Sequence, residues 1–331
     1  MNKTVTLHQS TGLAALPAPV RRLLGIGVKN VVVPLLGIVL FLGAWSMAAR
    51  NIDTSLGQFP GPATVAQQFG SLVSEHRAER EKAEAFYQRQ EERNAERLAL
   101  DPTYEAKIRP YTGKETFFDQ IRTSLVTVMC GFALAAVIAI PFGIAIGLSE
   151  TLYTAVNPVI QVLKPISPLA WLPMVTMVVS ALYVSADPVV PKSFLNSMIT
   201  VTLCCLWPML INTAVGVASI SQDLVNVSRV LSLPPLTHVR RIVLPAAVPA
   251  IFTGMRLSIG IAWMVLIAAE MLAQNPGLGK FVWDEFQNGS SDSLGRILTA
   301  AIVIGFIGFL LDRGMLTIQR FVSWDRNSAA R

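Results

Sequence analysis

The side chains able to do chemistry are few, and their spacing argues against catalysis. His8, His76 and His238 sit far apart in terminal or loop segments. Cys130, Cys204 and Cys205 fall inside apolar runs without metal-ligand spacing, as small residues facing lipid or core do. No Gly-rich phosphate loop, Ser/His/Asp set or nucleophile–base pair at helical spacing can be traced. A catalytic residue, a resident metal and a bound cofactor are therefore not expected. What remains is hydrogen bonding and docking. Ser167, Trp171, Trp207, Asn212 and Thr213 are polar-capable groups in apolar surroundings, where such groups line a cavity or hydrogen-bond between helices. Residues 220–249, ISQDLVNVSRVLSLPPLTHVRRIVLPAAVP, form one polar, Pro-punctuated stretch between two apolar runs.

The elements that must position these groups are membrane spans. Of 331 residues, 52% are hydrophobic and 15% charged, against about 25% charged in a typical soluble domain. The apolar residues come in runs of about 20, the length of a helix that crosses a bilayer. The net charge of +6 matches the Lys/Arg enrichment of cytoplasmic loops rather than a nucleic-acid partner. The first apolar run, 31–49, lacks a cleavage site and reads as an uncleaved first span. Further spans are predicted over 124–148, 159–183, 194–215, 254–273 and 296–316, giving an all-α, polytopic bundle of about six transmembrane helices.

Within the second span, Gly143 and Gly147 make a small-xxx-small face suited to close helix packing. Residues 150–157 read as a short inner loop. Pro165, Pro168 and Pro173 preclude a plain helix at the start of the third span. Broken backbone at membrane depth lines a cavity or is buried in protein, which favours a pore or gate role for Ser167 and Trp171 over kinked packing. Arg256 and Glu270 lie near the ends of the fifth span and are expected to snorkel to an interface. No acid is placed at mid-span, which disfavours an ion-coupled carrier.

Short loops place Lys3, Arg21, Arg22, Lys29, Lys164, Arg229, Arg240, Arg241, Arg313, Arg320, Arg326 and Arg331 on one side, and only Lys192 and Lys280 on the other. Both termini are thereby expected in the cytoplasm. The organisation that follows is a cytoplasmic segment 1–30, a first helix 31–49, an outer loop 50–117, a core 118–317 with an inner loop 219–249, and a cytoplasmic tail 318–331. The outer loop carries a run, 74–97, in which Arg77/Glu81, Arg80/Glu84 and Arg93/Glu96 support a helix. That helix is either a solvated face or a surface that meets a substrate-delivering protein.

In the inner loop, Leu224, Val227, Val230 and Leu231 recur at helical spacing after a Ser221 or Asp223 cap. Pro234 and Pro235 stop this helix. Leu236, Val239, Ile242 and Val243 suggest a second short helix that bears Arg240 and Arg241 and ends at Pro245. An exposed apolar ridge with cationic sides marks a protein contact, the alternative being a helix lying on anionic lipid.

Arg229-Val230-Leu231, then Arg240-Arg241-Ile242-Val243-Leu244-Pro245-Ala246-Ala247-Val248-Pro249, then Phe252-Thr253-Gly254-Met255-Arg256-Leu257 resemble the coupling-helix loop of ABC importer permeases of the binding-protein-dependent type. The family motif is Glu-Ala-Ala-x3-Gly-x9-Ile-x-Leu-Pro. Asn226, Val227 and Ser228 stand in place of Glu-Ala-Ala and Ser232 in place of Gly, while Ile242, Leu244 and Pro245 match. Residues 167–173, SPLAWLP, are similar to the nitrate, sulfonate and taurine permease group. Residues 206–208 with 211–217, 277–284 and 226–231 resemble more closely its nitrate/nitrite, cyanate and bicarbonate branch. The resemblance covers roughly 120–320 and leaves 70–112 as a lineage-specific outer insertion.

The resemblance implies a type I ABC importer permease core in the bacterial inner membrane, working with a second permease copy around one path. Two cytoplasmic ABC ATPase subunits would use ATP, and a periplasmic or lipid-anchored binding protein would deliver the anion. Nitrate or nitrite is the first expectation. Cyanate, bicarbonate, sulfonate or taurine, and then an ion-coupled secondary transporter, are the alternatives. ATPase coupling would fall to Asn226, Val227, Ser228, Arg229, Leu231, Ser232, Arg240, Arg241, Leu244 and Pro245. The translocation path would draw on Ser167, Trp171, Trp207, Asn212 and Thr213.

Overall fold

The structure is a computed structural model, and it describes residues 32–54, 57–101, 103–184 and 189–322. The expected segment 1–30, with Lys3, His8, Arg21, Arg22 and Lys29, and the end of the tail, with Arg326 and Arg331, lie outside those residues. The chain divides into two units, Met1–Ala66 and Gln67–Arg331. In the first, helix α1 (Val33–Arg50) is apolar on all sides, as a lipid-facing helix is. A two-stranded antiparallel ribbon follows it, β1 (Asp53–Thr54) on β2 (Gly57–Gln58), with Asp53 opposite Gln58.

The second unit is all helix. α2 (Pro62–Leu100) is the charged helix expected over 74–97, extended at both ends to 39 residues. The core follows as α3 (Phe117–Leu148), α4 (Glu150–Leu163), α5 (Pro168–Leu182) and α6 (Lys192–Ala218). Then come α7 (Gln222–Val230), α8 (Pro235–His238), α9 (Leu244–Ala273), α10 (Leu278–Asn288) and α11 (Ser293–Val322). Among the described residues, α1, α3, α6, the continuous rod Pro235–Ala273 and α11 are long and apolar enough to cross a membrane. The pair α4 and α5 makes a sixth if it is one bent span.

α6 is the hub, packed between α3 and α9. Backbones come close because the contact rows are small. A Cβ on Gly147 would lie 2.6 Å from the Ala214 carbonyl oxygen, and one on Gly143 would lie 2.7 Å from Thr213 Cβ. Without a hydrophobic drive between helices in lipid, this close packing is what holds α3 on α6, as the Gly143/Gly147 pattern predicts.

Three expectations about the elements are corrected. α3 begins at Phe117 rather than 124, because Thr116 forms a capping box with Asp119. Residues 150–157 are helix, not loop: Ser149 caps α4 by accepting from the Leu152 N–H, and Glu150 suits the positive end of the dipole. The third span is thus two helices bent by 100°, with Pro165 in the break. Pro245 does not end a second short helix. A five-residue π-helical turn, Val239–Val243, joins α8 to α9, and the Leu244 N–H donates to the Val239 carbonyl. The widened turn makes room for the Pro245 ring, which would otherwise meet the carbonyl four residues back.

α2 stands at the end of the bundle opposite α7. The extended segment that returns from its tip is pinned along it. Gln90 Oε1 accepts from the Arg109 N–H at 2.5 Å, the Tyr111 N–H donates to the Tyr87 hydroxyl at 3.0 Å, and the Tyr111 hydroxyl donates to Glu79 at 2.8 Å. Arg80 pairs across to Asp119 on α3 rather than with Glu84. Arg296, at the start of α11, adds a further tie to the bundle: it holds Glu75 through Nη1 at 2.6 Å and Nη2 at 3.1 Å, and Glu285 of α10 through Nε at 2.6 Å.

Hydrogen bonds from Arg296 keep the Glu75 carboxyl below the usual carboxylate range, against the opposing effect of burial. A lowered folded pKa contributes stability above that range and loses it as pH falls through it. As pH falls below about 4, the protection factors of residues 67–80, which correct for the intrinsic pH dependence of exchange, should drop as this tie is lost. Glu75→Gln should already exchange faster at neutral pH. Unchanged protection in both would show that the tie is not what anchors the arm.

Candidate coupling loop and translocation path

At the other end, α7 is closed by its own backbone. The Ser232 N–H donates to the Arg229 carbonyl and the Leu233 N–H to the Ser228 carbonyl, both near 3 Å, the two bonds of a Schellman stop. The stop needs a left-handed residue just past the helix, and Ser232 supplies it at φ 48°. This is the position where the resembled motif has glycine. A side chain there costs about 1–2 kcal/mol, so Ser232→Gly should raise the thermal midpoint by an amount worth about 1 kcal/mol, and Ser232→Val should lower it. No difference between the two variants would contradict this backbone assignment.

The ridge is outside. Val230 is 83% exposed, Leu231 62% and, across the Pro234 break, Leu236 80%; Leu224 and Val227 are exposed with them. Arg229, Arg240, Arg241, Leu244, Pro245 and Asn226 are also exposed. Ser228 differs from its neighbours. It is 6% exposed, and its Oγ is hydrogen-bonded to His238 Nδ1 at 2.7 Å. The exposed face is therefore apolar with three cations around it and one acid, Asp223.

The other polar residues fall into two groups. Ser167 sits at the bend, capping α5 by accepting from the Leu169 N–H at 3.3 Å. Trp171 follows one turn later, with its indole nitrogen buried and without a partner among the described residues. On α6, the Trp207 indole nitrogen is in the same condition. Asn212 donates to the Pro208 carbonyl at 2.8 Å, and Thr213 donates to the Met209 carbonyl at 2.7 Å. Thr213 is wholly buried against Gly143 and its one O–H is spent inside its own helix, which makes it a packing residue in this conformation. Of these residues the two indoles keep a free buried donor; elsewhere among the described residues the Ser197 hydroxyl is also buried without a partner.

Three charged arrangements escape sequence reading. Glu270 does not snorkel: it is 0% exposed. Ser124 Oγ on α3 lies 2.8 Å from both of its oxygens, and the Gly279 N–H donates to it at 3.0 Å. Ser124 Oγ also accepts from the Leu278 N–H at 2.9 Å. A carboxyl and a hydroxyl thus satisfy the first N–H groups of α10 and tie α3, α9 and α10 together. A Cβ on Gly279 would strike the Ile267 carbonyl and Glu270, so the Gly-Leu-Gly following Glu270 was the available signal. Arg256 also has a partner rather than an interface, a bidentate pair with Asp312 of α11 at 2.6 and 3.0 Å. The third is the Arg296 tie, whose Glu75 lies 221 residues away in sequence.

Residues 139–323 match the profile of the binding-protein-dependent transport system inner membrane component family. The chain belongs to this family. The permease is 40% identical over 203 residues to the nitrate import permease protein NrtB of a Synechocystis species, covering 61% of this chain and 69% of the relative. It is 35% identical over 295 residues to the bicarbonate transport system permease protein CmpB of Synechococcus elongatus, covering 88% and 90%. It lies in the nitrate and bicarbonate branch of the family. Its fold matches a chain of the methionine ABC transporter MetNI in an inward-facing conformation, with TM-score 0.53, 15% identity, and coverage of 62% of the permease and 96% of that chain. The expected all-α, multi-pass permease core is therefore correct, and the chain is a transport component of an ABC importer family.

Proposed function

We propose that the permease is the membrane subunit of an ATP-driven importer that carries nitrate or nitrite into the cytoplasm, with α7 docking a separate ATPase subunit. The observation that carries this is the ridge Val230–Leu231–Leu236. Three large apolar side chains stand exposed at one end of a membrane bundle, on a loop that also exposes Arg229, Arg240 and Arg241. Such a ridge suits a groove that is apolar at its floor and acidic at its rim. With Asn226 in place of the motif's Glu, the ionic part of docking falls to Arg229. Ser232 and Leu244–Pro245 set the ridge's ends, and Val227 widens it. Two such subunits, a second permease copy and a substrate-binding protein complete the assembly, in the bacterial inner membrane with α7 on the cytoplasmic side.

The choice of anion rests on donors. Trp171 and Trp207 offer buried N–H groups that can only donate, and an oxyanion with no proton of its own accepts from both. Bicarbonate carries an O–H that needs an acceptor, which an indole N–H does not supply, so the two indoles by themselves suit nitrate better. Bicarbonate is kept as the second substrate because the similarity to CmpB runs nearly end to end. Uptake of labelled nitrate in a strain lacking the permease gene, restored by the gene and challenged with excess nitrite, bicarbonate, cyanate or taurine, separates these. Competition by nitrite alone is expected; full competition by bicarbonate would move the assignment to that anion.

A further inference from the structure

α7 is poorly supported from beneath. It is nine residues long, its apolar ridge faces outward, and behind it lies a cleft of about 550 Å³ lined by Gly147, Val217, Val225, Ser228 and His238 among others. A short helix over a cleft can pivot on its connecting chain when pushed. Two ties resist that pivot. One is the backbone through Ser232. The other is the bond between Ser228 Oγ and His238 Nδ1, 2.7 Å long and partly buried.

His238 matters because of what it stands on. It is the last residue of α8, which passes through the π turn into α9, so that Pro235–Ala273 is one helical rod of 39 residues. The root of the rod is packed by Val243, Ala247 and Ile251 against Val217 of α6. Its far end carries Glu270, tied to α3 and α10. A displacement of α7 that reaches His238 is therefore delivered to a rod that runs the depth of the bundle.

We infer that the Ser228–His238 hydrogen bond is the strut that transmits motion of α7 to α9, with both residues positioning the coupling helix rather than touching ATPase or anion. Ser228 is one of the departures from Glu-Ala-Ala, in which an alanine could not make this bond. The inference rests on the reading of α7 as the ATPase dock.

The test uses the whole complex, reconstituted with its ATPase subunits and binding protein, and compares anion moved per ATP hydrolysed. Ser228→Ala and His238→Ala should assemble and hydrolyse ATP as the unaltered protein does, yet move about three- to tenfold less anion per ATP, the weight of one hydrogen bond. The double variant should be no worse than either single one. His238→Asn, whose amide reaches where Nδ1 was, should recover most of the ratio. An unchanged ratio in Ser228→Ala would overturn the strut, as would a loss of ATPase binding in either single variant, since the pair would then shape the dock itself. If the unaltered permease binds no ATPase, the docking reading fails first, and that result is seen before any variant is made.

Discussion

Glu270→Ala should destabilise the purified permease by about 3 kcal/mol, from two buried donors left without acceptors and a void in their place. The Gly279 N–H and the Ser124 hydroxyl both lose the carboxyl they now face, deep in a bundle where water does not replace it. The first turn of α10 then has nothing holding it to α3 and α9. Glu270→Gln should be milder, because one oxygen can still accept from Gly279. The thermal midpoint in detergent measures both. If Glu270→Ala melted with the unaltered protein, the carboxyl would not be a lock. If Glu270→Gln kept its stability but stopped uptake, Glu270 would be a proton-handling group, and the ion-coupled carrier would become the better reading.

Leu231→Asp should have the other large effect, and it should be silent in the isolated chain. Leu231 is 62% exposed, so replacing it removes little folding energy. In a docked complex the same side chain would be buried, where losing a leucine costs about 1.5–3 kcal/mol and burying an unpaired carboxylate costs more. ATPase affinity should fall by about 100-fold or more, with expression and membrane insertion unchanged. Arg229→Glu should act in the same direction but less, since a rim charge mainly changes approach and salt dependence. Normal ATPase binding by Leu231→Asp would remove the ridge from the interface.

What sequence could show followed from how each feature is encoded. The spans over α6, α9 and α11 were legible because bilayer thickness forces long apolar runs, and Gly143 and Gly147 because close packing in lipid demands small residues at that spacing. The ridge on α7 was legible because a helix of nine residues still shows its period. Helix α4 was not, since an amphipathic helix led by Ser149-Glu150 looks locally like a polar turn. The continuation through Pro245 was hidden because proline ordinarily stops a helix, and here a π turn precedes it and accommodates the ring. Glu270, Arg256 and Arg296 were misjudged or missed for one reason: their partners lie 146, 56 and up to 221 residues away, and a single charge near a span end looks the same whether it snorkels or is paired. Among the residues proposed for the path, Thr213 spends its hydrogen on the Met209 carbonyl, which depends on rotamer and not on sequence.

ATP-dependent uptake of labelled nitrate by proteoliposomes that hold the permease, its ATPase subunits and its binding protein bears on docking and substrate together. With ATP inside, uptake by the unaltered permease is expected to exceed that of Leu231→Asp by the full stimulated rate, and both should fall to background without ATP. Equal uptake by the two proteins, or uptake that persists without ATP, would contradict the coupling of α7 to an ATPase.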